Sequence, residues 1–251
     1  MAEPKKAQAL RFRHALQREI GRIAGPLWIP LAAALLRFGM RYRVENVQSL
    51  RREYQALRAG SDTPLLICAN HLTLIDSIII TWALVSPWRL VFRFNSMPWN
   101  TPERANFAAK WWQRIGSYLA KCIPVTRGGR REEIAEVLQR VNYLLRRGEV
   151  AVIFPEGGRS RSGRVDIENY AWGTGRIAAS VPGCHVLCVY LRGRKQEAWG
   201  ETPIRGERFH MELACIQPKT DFRGPRAVRD ISVQIITQLA CMEERYFDAR
   251  Q

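Results

Sequence analysis

Three short segments hold residues whose types and spacing could do chemistry. The first, Asn70-His71-Leu72-Thr73-Leu74-Ile75-Asp76-Ser77, sets a histidine five residues before an aspartate. An imidazole ordinarily titrates at about 6.5, which suits a general base near neutral pH. A carboxylate on its other ring nitrogen would fix the tautomer and stabilise the imidazolium. On a regular helix, side chains five residues apart diverge by about 140°. The pair can meet only if His71 sits in the turn before the helix and Asp76 reaches back from the first turn. Read alone, the two are better taken as a satisfied turn residue and a solvated acid.

The second segment is Phe154-Pro155-Glu156-Gly157-Gly158-Arg159-Ser160, followed by Arg161, Ser162, Gly163 and Arg164. Two glycines allow backbone amides close to a ligand, and Arg159, Arg161 and Arg164 offer anion-binding forks. No GK[ST] follows, so this is not a Walker loop. The third segment, Ile123-Pro124-Val125-Thr126-Arg127-Gly128-Gly129-Arg130-Arg131, ends a candidate strand at an arginine and a glycine pair. It too suits an anion, or a solvated basic turn. Among the six cysteines, Cys68, Cys188 and Cys215 lie in apolar runs and read as small buried thiols. Cys184, His185 and Cys188 lack a second ligand pair, so no metal site is expected. The cysteine usage points to a reducing, cytosolic environment rather than a disulfide framework.

These segments need a scaffold. Apolar runs at 41–47, 64–70, 88–94, 122–126, 149–154, 185–191 and 207–217 read as strands. Helical periodicity covers 50–59, 76–85, 102–120, 132–147, 173–179 and 228–247, with Gly148 ending the fourth of these. The alternation predicts an α/β fold: a largely parallel central sheet flanked by helices. The first two segments each follow a buried strand, the usual place for functional groups in open α/β sheets.

The chain of 251 residues carries a net charge of +16, from 33 Arg, 6 Lys and 23 acidic residues. Half of that excess lies in residues 1–60, with 12 basic and 4 acidic side chains. There, residues 10–40 read as an amphipathic helix. Leu16, Ile20, Ile23 and Leu27 form an apolar stripe, and Arg11, His14, Arg18 and Arg22 a basic one. The 14 uncharged residues between Arg22 and Arg37 would span roughly 21 Å as a helix, short of a hydrocarbon core of about 30 Å. Pro26 and Pro30 should kink it. The expectation is a segment lying in the membrane interface rather than a spanning helix, with packing on the core as the alternative. Residues 1–40 are therefore set apart as an interfacial helical segment, and 41–251 as the α/β domain. Charge alone would also allow nucleic acid as partner, but no helix-turn-helix, zinc-finger or RNP signature is present.

Taken in order, His-x₄-Asp, a strand ending in Arg, and FPEG-x-R-S make the chain similar to the glycerolipid acyltransferases that include 1-acylglycerol-3-phosphate acyltransferase. The resemblance spans roughly 64–192. It implies transfer of a fatty acyl group from an acyl thioester, acyl-CoA or acyl carrier protein, to the free hydroxyl of a lysophospholipid, with no further cofactor. It makes His71 the base and Asp76 its partner, and it assigns Arg127, Glu156, Gly157 and Arg159 to holding a phosphorylated acceptor. Asn70 and Ser160 match further motif positions. It implies action at the cytoplasmic face of the inner membrane. No GxSxG elbow is present, and none is required, because the acceptor brings its own hydroxyl. Cys68 lies in an apolar strand, where a thiol loses reactivity. Gly158 stands where the family usually has Thr, Asn169-Tyr170-Ala171-Trp172-Gly173 where it often has Pro-Phe-Lys-x-Gly, and Cys188 where it often has Pro. These departures keep a lyso-ornithine or other specialised lipid open beside 1-acylglycerol-3-phosphate as acceptor. A non-catalytic lipid-binding relative is the further alternative. Trp82, Trp88, Trp99, Trp111 and Trp112 are expected mainly in the core, with an acyl tunnel or membrane face as the other possibility.

Overall fold

The computed structural model describes residues 5–59, 63–107, 110–126 and 128–250. In chain order the elements are α1 (Lys5–Ala34), a π-helical turn (Leu35–Gly39), β1 (Arg43–Val44), α2 (Val47–Arg58), β2 (Leu65–Ala69), α3 (Asp76–Leu84) and α4 (Pro87–Phe92). They continue with β3 (Trp99–Asn100), α5 (Arg104–Phe107), α6 (Trp111–Leu119), α7 (Arg131–Leu145), β4 (Val150–Ile153), α8 (Gly173–Ser180), β5 (His185–Gly193), β6 (Arg208–Ile216) and α9 (Pro225–Asp248). The strands form one sheet in the order β1-β6-β5-β2-β4-β3. Each pair is parallel except β5 with β6. The fold is thus the expected mostly parallel sheet with helices packed on it.

The unbroken apolar runs are explained by cover on both faces. Leu65, Ile67 and Ala69 of β2 point into one core with residues of α1, α2, α3 and α4. Leu66 and Cys68 point into the other, beneath α7, α8 and α9. The same alternation in β4 and β5 sends Val150 and Val152 one way and Val186, Cys188 and Tyr190 the other. With both faces closed, only the strand ends are free to carry chemistry.

Several expectations are corrected. Residues 88–94 are not a strand: Pro87 to Phe92 are helical, because Ser86 caps the turn by accepting from the Arg89 N–H at 3.3 Å and Pro87 fits its first position. Residues 102–120 break into two helices. Residues 122–126 form only the isolated bridges Asn100↔Cys122 and Glu103↔Val125. Cys215 is exposed, since β6 pairs with β1 over only two residues and its far end lies uncovered. Trp99 is buried, but Trp88, Trp111 and Trp112 face solvent.

The N-terminal helix is also more continuous than expected. It runs through both prolines without a break. Leu10–Gly39 is long and apolar enough to cross a membrane by length and composition, and only 22% of its most apolar window is buried against the protein. Counting uncharged residues alone understates it, because Arg22 and Arg37 have stems long enough to carry their charge past the ends of an apolar stretch. An N-terminal apolar helix of this kind suggests membrane association.

Candidate active site

The site forms where β2 ends. The chain leaves the strand at Ala69, turns through residues 70–75 and enters α3 at Asp76. Asp76 stands at the helix start, and the turn wraps around its carboxylate. Oδ2 accepts from the Leu72 N–H at 2.7 Å, the Thr73 N–H at 2.8 Å and His71 Nδ1 at 3.0 Å. The Thr73 hydroxyl donates to Oδ1. This is how residues five apart meet: the histidine is outside the helix, and the aspartate reaches back to it. A carboxylate can only accept, so Nδ1 carries the proton and Nε2 of the neutral ring keeps its lone pair. Nε2 has no partner among the described residues and is not a sealed polar atom, and 8% of the side chain remains exposed. The imidazole thus has one nitrogen anchored in the interior and one left open.

The loop after β4 holds this histidine by its backbone. Glu156 Oε1 accepts the His71 N–H at 2.9 Å, and the Ser160 N–H donates to the His71 carbonyl at 2.9 Å. The Phe154 ring stacks on the imidazole at 4.0 Å with 16° between planes. The turn needs Gly157 at φ +64°, the left-handed region that glycine enters without strain. The second Glu156 oxygen is buried without a partner, and burial pushes the carboxyl up to about 8.

The remaining residues singled out in the sequence divide by role. Asn70 clasps β2 to β5, donating to the Leu191 carbonyl at 3.0 Å and accepting its N–H at 2.7 Å. The Ser160 hydroxyl donates to the Arg164 carbonyl. Arg159 donates to the Gly200 carbonyl at 2.8 Å and lies over the Trp199 ring at 4.8 Å. Arg164 is committed elsewhere, to Glu243 at 2.9 Å, and so does not serve as a free anion fork. Arg161 is exposed. Arg127 lies outside the described residues. Cys68 is fully buried, which pushes its thiol well above the usual range and removes it as a nucleophile.

Sequence reasoning missed a strap between β5 and β6. The Gly200 N–H donates to the Leu72 carbonyl and the Leu74 N–H to the Glu201 carbonyl, both at 3.0 Å. Trp199, Gly200 and Glu201 thereby join the histidine turn to Arg159. No local periodicity marks them.

The match to known families now adds to the geometry. Residues 41–192 match the family model described as Acyltransferase. The chain belongs to the acyltransferase family. The matched stretch of this acyltransferase begins just before β1, ends in β5, and contains both the histidine turn and the loop that grips it. Its strap at 199–201 lies beyond that stretch. No curated protein matches the chain closely enough to stand as a relative.

Proposed function

We propose that this acyltransferase moves a fatty acyl group from an acyl thioester, acyl-CoA or acyl carrier protein, to the free hydroxyl of a lysophospholipid. The expected acceptor is 1-acylglycerol-3-phosphate, met at the cytoplasmic face of the inner membrane, with α1 lying in the interface. The observation that carries this reading is the Nδ1–Asp76 hydrogen bond, which leaves Nε2 open beside a basic loop. Nε2 takes the acceptor's hydroxyl proton as its oxygen attacks the thioester carbonyl. Asp76 stabilises the imidazolium that forms. Collapse of the tetrahedral intermediate breaks the C–S bond, and the departing thiolate takes the proton from the imidazolium, restoring the base. Arg159, with donors beyond the one used on Gly200, holds the acceptor's phosphate.

The test is purified protein with both donor types and a panel of lysolipids. His71→Ala should remain folded and lose about 10²–10⁴-fold in kcat, the usual contribution of a positioned base. Arg159→Ala should weaken a phosphorylated acceptor by about 1.5–3 kcal/mol, read in KM. Near-full activity of His71→Ala would sink the mechanism. A preference for a lyso-ornithine lipid would keep the chemistry and replace the acceptor.

A further inference from the structure

A second basic site lies at the opposite end of the strands from His71. A cavity of about 630 Å³ opens where β4 begins, lined by Arg18, Arg22, Arg58, Arg89, Arg93 and Arg147 against a single carboxylate, Glu149. Leu65, at the start of β2, pairs with Val150 of the lining, so the length of β2 separates this cavity from the histidine turn, about 16 Å at about 3.3 Å per residue.

Arg22 is paired with Glu19 at 2.7 Å, but the other charges in the cavity do not cancel. Glu149 is already held by Arg18 at 2.9 Å, Lys121 at 2.7 Å and the Trp99 indole N–H at 2.6 Å. Arg58 donates to the Thr63 and Gly148 carbonyls, which fix the guanidinium without neutralising it. Arg89, Arg93 and Arg147 have no ion pair among the described residues. Tyr54 is a second pointer. It is 3% exposed and lines the cavity, yet its hydroxyl has no hydrogen-bond partner among the described residues. Fixed and free guanidinium forks around an unused hydroxyl suit phosphate oxygens.

The rim decides the source of the phosphate. Phe92 lines the mouth and is exposed, Trp88 lies one turn earlier on α4, and Ile23 and Leu27 stand exposed on the α1 helix that packs against α4. A soluble anion gains nothing from such a rim, whereas a phospholipid sets acyl chains beside its phosphate. We infer that this cavity holds the phosphate headgroup of an anionic membrane phospholipid, at a site separate from the acceptor. The inference rests on the proposed membrane association only for the source of the phosphate.

The experiment is vesicle co-sedimentation of the full chain with phosphatidylcholine alone and with phosphatidylcholine containing phosphatidylglycerol. Inorganic pyrophosphate serves as soluble competitor. The wild-type protein should prefer the anionic vesicles. Arg89→Gln/Arg93→Gln/Arg147→Gln should lose about fivefold per arginine, roughly a hundredfold together, while its binding to neutral vesicles and its activity on micellar acceptor stay as in wild type. A triple variant that keeps the anionic preference overturns the site. Tight pyrophosphate binding with no vesicle preference overturns the lipid source. Absence of binding to either vesicle type overturns the membrane reading and the lipid source together, and is told apart from failure of the site alone by the neutral vesicles.

Discussion

Glu156 is the residue on which the two motifs meet, and its protonation is open to measurement. Burial pushes its carboxyl from 4.5 up to about 8, against the His71 hydrogen bond and with added repulsion from Glu243, Asp166 and Asp76. Near neutral pH it is therefore largely protonated, and it adds no negative charge beside His71. The folded chain keeps a proton that the unfolded chain releases as pH rises from about 4.5 to about 8. Stability attributable to this group thus falls across that window and is flat outside it. Glu156→Gln keeps an oxygen for the His71 N–H and removes the titration. Thermal unfolding of both proteins should show the variant gaining on wild type through that window, with the gap constant at higher pH. Curves that run parallel throughout would refute a buried neutral carboxyl.

Helix α1 is tied to the domain through buried charge. Its Gln17 donates to the Tyr118 and Cys122 carbonyls, each at 3.0 Å, and its Arg18 reaches Glu149 at the start of β4. Lys121 completes the junction: it is fully buried, donates to Glu149 and the Met97 carbonyl, and lies 5.0 Å from the Trp99 ring. Burial opposes the charge of Glu149, but Lys121, Trp99 and Arg18 outweigh it and hold the carboxyl below its ordinary range. Removing one member of such a pair costs about 3–5 kcal/mol, because the other charge is left buried. Lys121→Met should lose that much in urea unfolding, and Lys121→Met/Glu149→Gln should recover part of it. A single variant within about 1 kcal/mol of wild type, the scale of exposed pairs, would mean that the junction is already solvated. This junction is also where the sequence stops being legible. β2, β4 and β5 can be read because two-sided cover demands unbroken apolar runs. Trp88, Leu90, Phe92 and Phe94 alternate with period two and imitate a strand, whereas the Ser86-Pro87 start signal decides for a helix. Of the site, His71 and Asp76 share one turn and are legible together, whereas the Thr73 hydroxyl on Asp76 shows only once the turn is folded. The Glu156 grip and the strap at Trp199 join segments distant in sequence, and such contacts leave no period to read.

For the whole molecule, the question is how the charge of +16 and the exposed apolar surface act together. α1 packs against both α4 and α6. Phe12, Ile23, Leu27, Leu31 and Phe38 of the N-terminal helical segment, Trp88 and Phe92 of α4, and Trp111, Trp112 and Ile115 of α6 all stand exposed. Three adjoining helices thus carry unburied apolar side chains, more than scattered surface residues would supply. Attraction to an anionic bilayer is screened by salt, with a Debye length of about 10 Å at 0.1 M falling to about 3 Å at 1 M. Apolar insertion is not screened. Binding to anionic vesicles should therefore fall steeply with salt and level off at a floor, while binding to neutral vesicles stays near that floor throughout. Leu27→Ser/Leu31→Ser should lower the floor, since burying each leucine contributes about 1.5–3 kcal/mol, and should leave the low-salt preference for anionic lipid in place. Its kcat on micellar acceptor should match wild type, because neither leucine touches the histidine turn. Co-sedimentation across a salt series reads both components. Complete release of the wild-type protein at 1 M salt would show that the helices rest on the bilayer by charge alone, with no apolar face inserted.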